Sequence, residues 1–154
     1  MRSIAILDAG PLLASLDRRD PDHLRSAEVL RRRDLELVIP TLVIAEVAHF
    51  AASRLGPRGE AAFVRSLPYL SVEEPHPEDW SLIADLVERS ADFPLGTVDA
   101  SITVLADRLD TDLIVTLDRR HFGAIRSPRG RSFRLLPEPR HVHEDVADYG
   151  PVPS

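Results

Sequence analysis

Two short aliphatic runs, each followed by an aspartate, constrain the fold of this chain most strongly. Residues 4–7 precede Asp8, and residues 113–117 precede Asp118. Unbroken aliphatic runs of this length are typical of strands that are covered on both faces, as in parallel sheets. Open parallel sheets bind their ligands at the carboxyl ends of the strands. We therefore expect both carboxylates to lie at one edge of a parallel sheet.

Strand and helix patterns alternate along the chain, which predicts an α/β fold. The expected architecture is a three-layer α/β/α sandwich around a mostly parallel central sheet. We expect helices to begin at Pro11, at Asp20-Pro21 and at Thr41, the last being stopped by Gly56-Pro57, and Thr97 to cap a helix that runs to Leu109. The expected strands are 3–8, 35–39, 69–73, 113–117 and 133–136.

Length and composition indicate one globular domain without disulfides. The 154 residues contain no cysteine, which excludes thiolate metal sites. Apolar periodicity stops at Pro137, so we expect one domain over 1–136 and a partly disordered tail over 137–154. No apolar run approaches the ~20 residues of a membrane span, and we expect a cytoplasmic protein without a signal peptide.

The charge of the chain gives only local indications of a nucleic-acid partner. A net charge of −6 argues against general attraction to a polyanion. All 19 basic residues are arginine, whose planar fork suits phosphate. Arg119 and Arg120 directly follow Asp118, so either they bind a substrate phosphate or they are ordinary solvated surface residues.

Two further acids, Glu46 and Asp99, lie in apolar helical surroundings. An isolated buried charge is costly, whereas several converging carboxylates require a cation. Together with Asp8 and Asp118 they predict a metal site made of oxygen ligands, which suits Mg²⁺ or Mn²⁺ better than zinc. Such a cation activates water for attack on a phosphodiester. Asp8, Glu46 and Asp99 are the expected main ligands, and Asp118 completes the site.

Each of these residues also has a simpler interpretation. Asp8 or Asp118 alone can be a helix cap, Asp99 alone can be a partner of a helix dipole, and Glu46 can pair with a buried arginine. Thr116 lies two residues before Asp118 on the same face of the strand, where it can hydrogen-bond a ligand or a phosphate. The prediction of a site therefore depends on the four acids occurring together.

Distance excludes two other aspartates. Asp112 precedes the strand that Asp118 follows, which puts it ~20 Å away at the opposite edge of the sheet. Asp107 lies ~12 Å along the helix from Asp99.

Four segments resemble the motifs of PIN-domain proteins, specifically VapC-type toxins of bacterial toxin–antitoxin pairs. They are 6–12, 45–47, 97–102 and 115–122, and the resemblance spans about residues 2–136. It implies a PIN-like α/β/α sandwich and an Mg²⁺- or Mn²⁺-dependent endoribonuclease with Asp8, Glu46, Asp99 and Asp118 at its acidic site. It also implies an RNA substrate such as tRNA or rRNA, a homodimer and a cognate antitoxin. Relatives often have a hydroxyl residue at the position of Ala9.

Three alternatives remain beside the toxin. A phosphate-signalling receiver domain also has an acidic Mg²⁺ pocket, but it requires a lysine, and this chain has none. A PIN-like binding module without catalysis is disfavoured because all four acids are present. An RNA-processing PIN nuclease would work without an antitoxin, and an adjacent small antitoxin gene would distinguish the two.

Overall fold

The computed structural model describes residues 1–90, 92 and 95–140, in which strands and helices alternate. A short 3₁₀ turn at Leu67–Tyr69 follows the third helix. The elements in chain order are β1 Ser3–Leu7, α1 Ala9–Leu16, α2 His23–Leu30, β2 Leu35–Pro40, α3 Thr41–Ser66, β3 Ser71–Glu73, α4 Asp79–Arg89, α5 Thr97–Arg108, β4 Leu113–Val115, α6 Arg119–Ala124 and β5 Arg134–Leu136.

The five strands form one sheet in the order β3-β2-β1-β4-β5, and the pairings among the described residues are all parallel. Ile6 of β1 aligns with Val38 of β2 on one side and with Ile114 of β4 on the other. The chain runs from β1 out to β3 and then returns across the sheet to β4. Because parallel crossovers are right-handed, α1–α3 and α4–α5 cover opposite faces. The expected α/β/α sandwich is confirmed.

The central strands are covered on both faces, as their sequence indicates. Ala5, Ile6 and Leu7 of β1 are fully buried, as are Ile114 and Val115 of β4. Burying each large aliphatic side chain contributes about 2 kcal/mol. The two runs that precede the aspartates therefore form the middle of the hydrophobic core.

The neighbouring strands β1 and β4 mark the point where the strand order reverses. The chain leaves β1 towards β2 and leaves β4 towards β5, in opposite directions across the sheet. Connections that diverge in this way open a crevice at the carboxyl ends of the two strands. Asp8 and Asp118 follow these strands, so the topology puts both at the crevice.

Three predicted helix starts are wrong. Helix α1 begins at Ala9 rather than Pro11, because the Asp8 side chain caps it. Helix α2 begins at His23: the Asp20 carboxylate instead accepts from the Asp22 N–H at 2.8 Å, forming a turn before the helix. Gly96, not Thr97, is the N-cap of α5 and has an extended backbone.

The expected break in the long helix is confirmed. Gly56 has φ +69° and ψ −172°, so α3 is two helical stretches joined at a kink. The left-handed backbone suits glycine, and Pro57 has no N–H with which to continue the hydrogen-bond ladder.

None of the described helices combines the length and apolarity needed to span a bilayer. Within the predicted tail, residues 137–140 pack against the start of α2: Arg25 donates to the Glu138 carbonyl at 3.1 Å, and Arg140 donates to the Pro21 carbonyl and Asp22. The rest of the predicted tail, 141–154, lies outside the described residues.

Candidate active site at the carboxyl edge of the sheet

Asp8 is a buried carboxylate at the junction of β1 and α1. Only 8% of the residue is exposed, and its Oδ1 accepts from the Ala9 N–H at 2.8 Å, which caps α1. Its backbone N–H donates to the Val115 carbonyl at 2.9 Å, which continues the pairing of β1 with β4. The cap and the strand pairing together fix the direction of the side chain.

Thr116 connects Asp8 to Asp118. Its hydroxyl donates to Asp8 Oδ2 at 2.7 Å and accepts from the Asp118 N–H at 3.0 Å. The residue is 1% exposed. Of the two roles expected for Thr116, the structure has a hydrogen bond to a carboxylate of the site, and this burial leaves no surface for direct contact with a phosphate.

Asp118 is held by the first turn of α6. Its Oδ1 accepts from the His121 N–H at 3.0 Å, which makes it the N-cap of this helix, and its Oδ2 lies 2.7 Å from His121 Nδ1. His121 lies within the motif at 115–122, but its pairing with this carboxylate was not predicted from the sequence. The signal was present: a histidine three residues after an N-cap faces the capping side chain.

The two helical acids complete the cluster. Glu46 lies on the second turn of α3, and Asp99 lies in the first turn of α5. Both side chains are partly buried. These helices cover opposite faces of the sheet, so the acids approach the crevice from its two sides.

The four carboxylates lie near enough to one another for their charges to interact. Burial, together with the negative charges of Asp8, Asp118 and Glu46, raises the pKa of Asp99 to about 6. Burial and the charge of Asp8 raise the pKa of Glu46. Burial also raises the pKa of Asp8, opposed by the hydrogen bonds from Thr116 and Ala9. Mutual repulsion of this kind favours binding of a cation or a proton.

The donor set fits a hard divalent cation in its chemistry. All four groups are carboxylates, the ligands that Mg²⁺ and Mn²⁺ prefer. Within the described part of the chain, no group of three or more Asp, Glu or His side chains is arranged to hold a metal ion as it stands. A cation would therefore have to draw these side chains together from their present rotamers.

The two arginines after Asp118 differ from one another. Arg119 donates to the carbonyl oxygens of Pro137 at 2.9 Å and Leu135 at 3.4 Å, so it ties α6 to the end of β5. The expected role of Arg119 in binding substrate has to compete with these contacts. Arg120 is exposed at the start of α6.

The two aspartates excluded by distance have structural partners elsewhere. Asp112 forms a bidentate ion pair with Arg134 at 2.8–3.0 Å. Asp107 accepts from the Arg129 N–H at 2.9 Å. The charges that raise the pKa of Asp99 are instead those of Asp8, Asp118 and Glu46.

Comparison with known proteins identifies relatives of the whole fold. The family model described as "PIN domain" matches residues 5–126. The chain is 36% identical over 134 residues to Ribonuclease VapC26 of Mycobacterium tuberculosis, an alignment that covers 86% of this chain and 99% of the relative.

Solved structures show the same fold at lower identity. VapC20 of M. tuberculosis, a toxin that cleaves the sarcin–ricin loop, superposes with a TM-score of 0.66 at 17% identity, covering 73% of this chain and 87% of that one. Chains from DNA-bound VapBC2 of Rickettsia felis and VapBC of Salmonella typhimurium give TM-scores of 0.65 and 0.64 at 14% and 21% identity. They cover 87% and 88% of this chain, and 99% and 98% of their own.

Proposed function

The chain belongs to the PIN-domain family, and from this premise we propose that it is a metal-dependent endoribonuclease, the toxin of a toxin–antitoxin pair. The observation that carries the proposal is the group of four carboxylates at the point where the strand order reverses. A relative whose alignment covers 86% of this chain is named a ribonuclease. The proposed substrate is RNA, in particular tRNA or rRNA.

The proposed catalytic site uses Asp8, Glu46 and Asp99 as the main cation ligands and Asp118 to complete it. When bound there, Mg²⁺ or Mn²⁺ would polarise the phosphate and activate a water molecule. The protein supplies orientation. Thr116 fixes the rotamer of Asp8, and His121 fixes that of Asp118, because each donates a hydrogen bond to a carboxylate oxygen.

The proposal also includes protein partners. VapC chains occur together with VapB in the R. felis and S. typhimurium structures, and this supports a cognate antitoxin for the present chain. A homodimer is expected from the family. Hydrolysis of tRNA or rRNA would take place in the cytoplasm, where these RNAs are found.

Replacement of single carboxylates tests the nuclease. Asp8→Asn and Asp99→Asn each keep the size of the side chain but remove a charge from the ligand set. We expect both variants to keep the fold, measured by circular dichroism, and to lose Mg²⁺-dependent cleavage of total cellular RNA. Asp112→Asn serves as the matched control, since Asp112 pairs with Arg134 at the opposite edge.

Cleavage by Asp8→Asn and Asp99→Asn at the wild-type rate would contradict the carboxylate site. Mapping the RNA ends produced after induction in cells would identify the substrate. Growth arrest that is relieved by a neighbouring small gene would support a toxin, and its absence would favour an RNA-processing nuclease.

A further inference from the structure

A row of side chains continues along α3 from Glu46. Phe50 and Arg54 follow it at four-residue intervals, so they lie on the same side of the helix, ~6 Å and ~12 Å farther along the axis. The adjacent row, Val43, Val47 and Ala51, is fully buried in the core. The Glu46 row therefore borders the buried face and starts at the acidic site.

Two side chains, one in this row and one beside it, contact the Phe50 ring. The Arg54 guanidinium carbon lies 4.9 Å from the centroid of the Phe50 ring, over its face. The His49 ring meets Phe50 edge-on, with 5.4 Å between centroids and an angle of 63°. Phe50 is half-buried, whereas His49 and Arg54 are exposed. Phe50 thus supports a guanidinium group whose outer side faces solvent.

Ion pairing does not account for the position of Arg54. Several arginines of the described residues pair with carboxylates, as Arg25 does with Asp22 and Arg134 with Asp112. Among those residues Arg54 has no ion pair, and its contact is the Phe50 ring. An exposed cation–π contact contributes only about 0.5–1 kcal/mol, so stability alone is a weak reason for this arrangement.

Resting on the nuclease function proposed above, we propose that Arg54, supported by Phe50 and His49, binds an unpaired nucleotide of the RNA beside the site of cleavage. The base stacks on the outer face of the guanidinium, and its N–H groups reach the adjoining phosphate. Proteins recognise single-stranded RNA through bases stacked on aromatic or guanidinium planes.

Charge favours RNA over a protein partner at this row. Four carboxylates at the site repel a polyanion, and the chain as a whole carries −6. A positive group held one or two helical turns from Glu46 offsets this repulsion where the strand would enter. A second copy of the chain is the alternative occupant.

Binding of short RNA measures the proposed stacking directly. The probes are a fluorescent ten-residue oligo(A) and the same strand with abasic sites, measured by anisotropy in an Asp99→Asn background that keeps the RNA intact. We expect Arg54→Ala to weaken oligo(A) binding about tenfold, the loss of about one stacked base. Abasic RNA keeps only the phosphate contact with Arg54, so Arg54→Ala should weaken its binding less than it weakens the binding of oligo(A).

Conservative variants separate stacking from charge and from folding. Arg54→Lys keeps the charge but has no planar face, so we expect it to remain weak. Phe50→Leu removes the supporting ring and should resemble Arg54→Ala. Arg65→Ala and Tyr69→Ala are the controls, because both residues are exposed and lie beyond the Gly56 kink. Both variants should bind oligo(A) as tightly as the background protein does.

Three results would overturn this inference. They are unchanged affinity of Arg54→Ala, full rescue by Arg54→Lys, and a loss of dimer in size-exclusion chromatography when Arg54 is replaced. Each leaves the nuclease proposal standing. Failure of the background protein to bind any RNA, with no cleavage by the wild type, would instead reject the nuclease function.

Discussion

Two threonines flank β4 and make equivalent hydrogen bonds for different purposes. Thr111 donates to the Ile4 carbonyl at 2.7 Å and accepts from the Leu113 N–H, whereas Thr116 donates to Asp8 and accepts from the Asp118 N–H. The first joins β4 to backbone at the amino edge of the sheet. The second orients a carboxylate at the opposite edge.

Thr116→Val should therefore impair catalysis more than folding. The change keeps the shape of the side chain but leaves Asp8 Oδ2 without its donor, and we expect kcat to fall about 10–100-fold. RNA cleavage and thermal unfolding are measured together. Thr111→Val, the matched control, should lower stability by about 1 kcal/mol and keep kcat. A normal kcat in Thr116→Val would show that the hydrogen bond does not orient Asp8 for catalysis.

Asp99 makes the metal-free protein sensitive to pH. Its pKa of about 6 lies above the ordinary value of 3.8, so the folded chain binds this proton more tightly than the unfolded chain does. Folding stability therefore rises as the pH falls from 7 through 6 towards 4. Below ~4, protonation of carboxylates such as Asp34 and Asp112, whose ion pairs with arginine lower their pKa, reverses the trend.

Thermal unfolding in EDTA at pH 5 and pH 7 tests this effect. We expect wild type to be more stable at pH 5, and Asp99→Asn to show a smaller difference and to gain about 1 kcal/mol at pH 7. This gain is less than the full pKa change implies because the side chain is only partly buried. The exposed Glu88→Gln variant should behave as wild type, and the same pH dependence in Asp99→Asn would contradict the assignment.

The four acids of the proposed site could be selected from the sequence because chemistry and pattern coincide there. Asp8 and Asp118 end buried strands, and Glu46 interrupts an apolar helix. The hydrogen bonds among them were less accessible, since the pairing of Thr116 with Asp8 joins residues 108 positions apart. Arg119 directly follows Asp118 in the sequence. This adjacency gave no indication that its guanidinium would turn away towards the carbonyl oxygens at the end of β5.

At the scale of elements, a nearly buried ion pair fastens α4 to α5. Asp79, at the first position of α4, is 4% exposed; its carboxylate lies 3.1 Å from Arg108 Nε and accepts from the His76 N–H at 2.8 Å. Arg108 also donates to the Glu74 carbonyl at 2.7 Å. One side chain thus joins the end of α5 to the loop before α4.

Asp79→Ala should destabilise the fold by about 2 kcal/mol, because it leaves a largely buried guanidinium with only the longer, 3.5 Å pair to Glu73. Urea unfolding gives the free energy. Asp85→Ala on the same helix is the control: its pair with Arg89 is exposed and 3.6 Å long, so we expect a change below about 0.5 kcal/mol. Equal effects of the two changes would mean that Asp79 makes no special contribution.

Sequence pattern predicted the elements better than their ends. The hydrophobic pattern identified the strands. The residue types of Gly56 and Pro57 identified the kink in α3. The starts of α2 and α5 depended on a local competition that the pattern does not decide. At Asp20, the carboxylate forms a turn with the Asp22 N–H, and at Thr97, an extended glycine before it takes the cap position.

For the whole molecule, a bound cation should act as a stabiliser. Ligands that bind only the folded state raise its stability, and Mg²⁺ at about 100 times its Kd adds about 2.7 kcal/mol. For a chain of this length we expect the Tm to rise by about 5–10 °C. Differential scanning fluorimetry with Mg²⁺, Mn²⁺ and EDTA measures the change.

The shift in Tm should depend on the site rather than on general charge screening. Asp8→Asn and Asp99→Asn should lose the rise in Tm on addition of Mg²⁺. Asp112→Asn should show the same rise as the wild type, measured from its own metal-free Tm. An undiminished shift in Asp99→Asn would place the cation elsewhere on the surface.

The position of β4 beside β1 has a consequence for how the protein is made. Thr116 leaves the ribosome 108 residues after Asp8, roughly 5–20 s later at ordinary rates of synthesis. A nascent chain that has folded as far as α5 holds Asp8 but lacks both Thr116 and Asp118. The proposed catalytic centre is therefore completed only after β4 has been translated, and the ribosome is not exposed to a finished nuclease before that point.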